Sequence, residues 1–185
     1  MKKLSMIFVA ILMMAGFSMK VMAQTNTSAT VTATSAGAVL ITPMHLTQTA
    51  VLHFGTIVLK DATGGTVLLP SNSTTREYTG GLEISAGVVS QIPSNAAYTV
   101  GGTRNQSYAI TLPADIIVTK TAGTSATMHI TELTAHVASA GADAIIGTLS
   151  DSGADNFTVG GTLTVAAAQL GGAYSGTFPV TVDYN

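Results

Sequence analysis

Cysteine and tryptophan are both absent from this 185-residue chain. Without thiols the fold cannot be stapled by disulfides, and no thiolate metal site is available. The lack of tryptophan removes the largest aromatic face on which a sugar stacks. Charge is scarce, at 9% of residues. Seven lysines and arginines, scattered along the chain, leave no cluster of the kind a phosphate backbone needs, which excludes nucleic acid as a partner. Long helices, which draw on Glu, Lys, Arg and Leu, are poorly supplied.

Three of those seven basic residues, Lys2, Lys3 and Lys20, lie in a segment with the character of an export signal. Lys2 and Lys3 precede an apolar stretch from Leu4 to Phe17, and Val21-Met22-Ala23 offers a cleavage site before Gln24. The stretch is shorter than the roughly 20 residues a spanning helix needs. The reading is a signal peptide over residues 1–23 and one mature domain over 24–185, with 24–38 as a candidate extended N-terminal strand. Four basic residues then face nine acids, a mature charge of −5. The expected location is the periplasm or the bacterial cell surface, with no transmembrane segment after cleavage.

What the chain has in quantity is threonine, at 29 residues, and glycine, at 19. Threonine is β-branched with a polar tip and suits the solvent face of a strand. Apolar residues alternate with threonine at Ala29, Val31 and Ala33, and Ala38 to Ile41 is a denser apolar run. Val51 to Leu59, Thr66 to Leu69 and Leu82 to Ser85 read as strands, with Gly55 marking a bulge or a close approach. Ala97 to Val100 and Tyr108 to Leu112 read as a hairpin with a long loop. Met128 to Ala138 fits a helical stripe, or two strand halves around a bulge at Thr131-Glu132. The strand reading is favoured, because its neighbours are strands and Thr and Val are poor helix formers. The clearest period two is at the C-terminus, where Phe178, Val180, Val182 and Tyr184 alternate with Pro179, Thr181 and Asp183. Five Gly-Gly pairs, at 64, 80, 101, 160 and 171, read as turns that end strands. Short strands at this spacing predict an all-β antiparallel sandwich or barrel.

Motifs with chemistry are few. The near-identical hexapeptides Tyr98–Thr103 (YTVGGT) and Phe157–Thr162 (FTVGGT) each carry a glycine pair, but neither opens a helix, as a phosphate cradle requires. Four histidines lack metal-ligand spacing, and a regular strand would put His129 and His136 on opposite faces. The oxygen-rich segment near Asp151 and Asp155 is a candidate calcium loop, yet it misses the EF-hand pattern and a solvated loop is the plainer reading. No nucleophile elbow is present. The tyrosines read as core-edge residues with their hydroxyls in water. The expectation is a non-enzymatic protein with no cofactor.

Leu52-His53-Phe54-Gly55-Thr56-Ile57, Ala97-Tyr98-Thr99-Val100-Gly101 leading to Tyr108-Ala109-Ile110-Thr111-Leu112-Pro113, and the ending from Val159 through Tyr174-Ser175-Gly176-Thr177-Phe178 to Asn185 together resemble a secreted bacterial family known as domain of unknown function 4402. More distantly, the ending is similar to subunits of archaic chaperone–usher pili and spore-coat-U-like proteins. That resemblance implies an immunoglobulin-like sandwich and assembly by strand addition. The implied assembly strands carry Ala29, Val31 and Ala33 at one end and Phe178, Val180, Val182 and Tyr184 at the other. The implied partners are copies of itself or other surface subunits, and a periplasmic chaperone. The expected function is therefore a pilin-like or adhesin-like surface protein. The alternative is a secreted ligand- or glycan-binding module, which would need an exposed tyrosine cluster.

Overall fold

The computed structural model describes residues 37–84 and 91–185. The candidate signal peptide and the candidate strand at Ala29, Val31 and Ala33 lie outside the described residues. The chain divides into two compact units, Met1–Val39 and Leu40–Asn185, and only residues 37–39 of the first are described. Among the described residues the secondary structure is strand alone, and no helix is long and apolar enough to cross a membrane. In chain order the strands are β1 (His45–Ala50), β2 (Ile57–Leu59), β3 (Gly65–Leu69), β4 (Glu77–Tyr78) and β5 (Leu82–Ile84). There follow β6 (Ala96–Gly101), β7 (Ser107–Thr111), β8 (Asp115–Lys120), β9 (Thr127–Val137) and β10 (Ala142–Asp143). The last are β11 (Ile146–Thr148), β12 (Ala154–Val165), β13 (Tyr174–Ser175) and β14 (Thr181–Tyr184).

β12 organises the sandwich. Asp155, Phe157, Val159, Gly161, Leu163 and Val165 are all buried, so one face points inward along the whole strand. β9 flanks it on one side. On the other side β6 pairs with its first half and β3 with its second. The large antiparallel sheet runs β1-β6-β12-β9-β8-β13, with β3, β4 and β10 attached. Facing it are two smaller sheets, β11-β7-β14 and β2-β5. The first covers a core of Tyr98, Val100, Tyr108, Ile110, Val137, Leu149, Phe157 and Val159, where the Tyr98 and Phe157 rings stack 5.0 Å apart. Phe54 and Leu82, on the β2-β5 side, pack in a second cluster with Val67, Leu69, Ile116, Ile130, Leu163 and Val165. The expected all-β antiparallel sandwich of short strands is what forms.

β9 is a strand with a bulge where the sequence placed one. Thr162 of β12 faces Thr131 and Gly160 faces Thr134, so β9 carries one extra residue there. Glu132 takes the left-handed conformation, at φ 52°, and its carboxylate accepts a hydrogen bond from Thr162 Oγ1 (2.8 Å). The extra residue also reverses the histidine expectation. With one residue inserted between them, His129 and His136 share the outer face. His129 Nδ1 lies 2.8 Å from Asp115 Oδ2, and His136 Nδ1 lies 3.3 Å from Asp143 Oδ1.

Four other expectations change. The apolar run at Ala38–Ile41 is not a strand, whereas the polar His45–Ala50 forms the edge strand β1. β6 and β7 are not a hairpin: the chain crosses from one layer to the other between them. Gly160-Gly161 is no turn, because β12 runs straight through it. Glycine is needed there because a Cβ on Gly160 would overlap the Leu69 carbonyl and the backbone of Pro70 and Ser71, which cross against β12. The C-terminal ladder is shorter than the alternation suggested and spans only Thr181–Tyr184.

Candidate functional site

Beside β2, above the inner face of the large sheet, lies an apolar trough of about 490 Å³. Its floor is the inner face of three neighbouring strands. Ile116 of β8, Ile130 of β9 and Leu163 of β12 stand in one cross-strand row, by their pairing. Val118, Met128 and Val165 form the next row. One wall is residues 52–59, including β2. The other is residues 169–178, which approach the last strand.

The near wall is held rigidly. Arg76 Nη1 donates to the carbonyls of Phe54 (2.5 Å) and Thr56 (3.0 Å), and its guanidinium lies 5.3 Å from the Tyr78 ring centroid. Gly55 has φ 71°, and a Cβ there would press on Arg76 and Pro93, so the close approach expected of this glycine is real. Thr56 N–H donates to the Gln91 carbonyl and Lys60 N–H to the Gly81 carbonyl. Backbone polar groups alternate direction along a strand, so those of Ile57 and Leu59 point away from β5, toward the trough. On the far wall Gly176 to Val180 joins no ladder. The near wall therefore presents a strand edge to the gap, and the far wall a segment outside any strand.

Polar side chains on the walls are mostly engaged with their own chain. His53 Nδ1 accepts from the Gly55 N–H (2.7 Å), Gln169 Nε2 donates to Thr127 O (3.1 Å), and Tyr174 Oη donates to Leu170 O (2.6 Å). A small-ligand pocket of this size orients its guest with a few unengaged polar groups. This trough offers an apolar floor and backbone edges instead, which suits an extended peptide.

Phe178 packs against both core clusters and lines the trough, and Val180, Val182 and Tyr184 pack on the first cluster. Tyr184 does more than fill space. Its hydroxyl accepts from the Thr103 N–H (2.6 Å) and donates to the Thr42 carbonyl (2.6 Å). Gly102 leaves room for it, since a Cβ there would overlap the tyrosine oxygen. Among the described residues β14 pairs only with β7, and its other edge joins no ladder.

The remaining polar clusters among the described residues can be taken one by one. Ser71 Oγ donates to Asp143 Oδ1 (2.6 Å), and His136 approaches the same carboxylate. The acid thus stands between serine and histidine. A hydrolytic triad needs the imidazole in the middle to take the serine proton. Asp155 is buried and its carboxylate receives Tyr108 Oη (2.9 Å), Ser139 Oγ (2.5 Å) and the Asn156 N–H (2.8 Å). Asp151 lies exposed in the preceding turn. Among the described residues no group of three acidic or histidine side chains is placed to hold a metal. Burial, followed by the Asp155 hydrogen bond, pushes the Tyr108 hydroxyl well above the ordinary tyrosine range. Burial also raises Tyr98. Tyr98 and Tyr108 are buried and the other three tyrosines half-buried, so none is exposed as a sugar platform would need. The expectation that their hydroxyls face water fails at Tyr108, Tyr174 and Tyr184, which bond to protein groups, and at Tyr78, whose hydroxyl is buried without a partner among the described residues.

Sequence reasoning named Phe178, Val180, Val182 and Tyr184 but not the trough beside them, because its walls lie more than a hundred residues apart. No curated protein and no solved structure matches the chain. A family model does, over residues 44–184, taking in the sandwich with its floor, both walls and the closing tyrosine. The chain belongs to the family described as a domain of unknown function, DUF4402.

Proposed function

We propose that the protein is an exported, non-enzymatic structural protein of the bacterial cell surface, a pilin-like subunit that associates by strand addition. The observation that carries this reading is the trough beside β2, whose aliphatic floor lies open and is bordered on one side by a strand edge. An added strand there would hydrogen-bond to β2 and cover the floor. Partners of this kind are other copies or other surface subunits, with a periplasmic chaperone covering the same edges before assembly.

The experiment is size analysis of the mature chain, residues 24–185, by light scattering across a concentration series, followed by electron microscopy. Concentration-dependent oligomers or filaments are expected. A monodisperse monomer at every concentration, with no filaments, sinks the reading. Mass spectrometry of the exported protein should find an N-terminus at Gln24.

A further inference from the structure

Lys120 stands at the border of the trough floor. On β8 the inward positions are Ile116, Val118 and Lys120, so the lysine follows two floor residues on the same face. Its stem lies along the far wall: a Cβ on Gly172 would overlap Lys120 Cε, and Tyr174 of that wall pairs with Lys120 in the ladder. The lysine is half-buried, and among the described residues no carboxylate pairs with its ammonium. The chain has nine acids, yet none of them lines the trough. A cation thus borders an aliphatic surface from which negative side chains are kept away.

We propose that the trough of the unassembled subunit binds one molecule of a straight-chain fatty acid, with its tail on the floor and its carboxylate at Lys120. The proposal goes beyond the strand-addition reading and stands on the trough and its lysine alone.

The tail is argued from the floor. Its two cross-strand rows, Ile116-Ile130-Leu163 and Val118-Met128-Val165, form a continuous aliphatic surface, open to water until a guest covers it. A hydrocarbon tail asks no hydrogen bond of the walls. The polar groups of His53, Gln169 and Tyr174, already bonded to their own chain, therefore admit it without loss. The head is argued from charge. A carboxylate supplies the one negative group that Lys120 lacks, in a half-buried place where the pair is less screened than on open surface. Size agrees with both. A volume of about 490 Å³ lies within the range of about 300–1,000 Å³ that small-molecule pockets span. From Ile116 to Lys120 the strand advances about 13 Å at ~3.3 Å per residue, a run that suits an extended chain.

The test titrates mature chains, residues 24–185, with octanoate, decanoate and laurate below micelle-forming concentrations, by calorimetry. One site is expected, with each two-carbon step tightening binding roughly tenfold as more apolar surface is covered. Lys120→Gln should weaken laurate about fivefold and leave uncharged dodecanol unaffected, whereas Lys120→Arg should retain laurate binding. The place of binding has its own readout, because Met44 and Met128 are the two methionines of the mature chain. Met128 lies on the floor, and Met44 packs on the first core cluster. In spectra of methyl-labelled methionine, laurate should move the Met128 signal and leave that of Met44 in place. Absence of binding, affinity that does not rise from octanoate to laurate, or a Met128 signal fixed at saturation each overturns the proposal. Equal laurate affinity in native and K120Q chains does the same. Laurate bound by native chains that never associate would uphold the proposal while removing strand addition. Oligomers from chains that ignore laurate would do the reverse.

Discussion

Gly101 and Gly160 occupy equivalent places in nearly identical hexapeptides, yet a methyl group on each meets different matter. On Gly101 it would meet the His45 ring, an exposed side chain that can swing aside. On Gly160 it would meet the crossing backbone of Leu69 to Ser71, which cannot yield without parting from β12. Gly160→Ala should therefore cost about 3 kcal/mol, against about 1 kcal/mol or less for Gly101→Ala. Urea midpoints of the two variants check the contrast. Tyr108 supplies a second residue-scale prediction. Its hydroxyl ionises at higher pH in the folded protein than in the unfolded chain. The unfolded state thus loses its proton first, so stability should fall as pH rises past about 10. Tyr108→Phe should flatten that part of the stability–pH curve and cost about 1–3 kcal/mol at neutral pH, because Asp155 loses a buried donor. Denaturant titrations at several alkaline pH values test both statements.

Among the elements, β9 shows most plainly how one residue controls a strand. Before Glu132 the inward positions are Met128 and Ile130, and after it they are Leu133, Ala135 and Val137. Both sets pack inward only because the bulge absorbs a residue between them. Deleting Glu132 would force one half to turn its aliphatic face outward, so the deleted chain should not fold, whereas Glu132→Gly should keep the register and lose only the Thr162 contact. Circular dichroism and a soluble-fraction assay separate the two outcomes. β1 shows the reverse case. HLTQTA has no apolar alternation, and its strand state is imposed by pairing to β6 along a sheet edge where both faces are half open.

For the whole molecule, the uncovered floor has a measurable signature. An apolar dye such as ANS should fluoresce on the monomer and lose that signal as subunits associate, in step with light scattering, if the trough is the surface being covered. A dye signal that stays constant through assembly would place the contact elsewhere. How much of this was readable in advance follows from range. A strand with one buried face announced itself through period two at Met128–Ala138, and so did its bulge, whereas β12 reads in sequence as two strands parted by a turn at Gly160-Gly161. Layer membership did not, because the sequence around Gly101-Gly102 suits a hairpin and an inter-sheet crossing equally. The trough was hidden for a stronger reason: an empty interval has no residues of its own, and its two walls come from opposite ends of the domain.

The Tyr184 hydroxyl bridges Thr42 to Thr103, so the first anchored residue of the sandwich and its last strand lie side by side. Topologically the domain is nearly a closed loop. A short glycine-serine linker from Asn185 to Thr42, with new ends opened in the exposed turn at residues 121–125, should give a circular permutant with the same sheets. Its circular dichroism spectrum and urea midpoint should match those of the native chain, and a loss of either would mean that the fold depends on where the chain is cut.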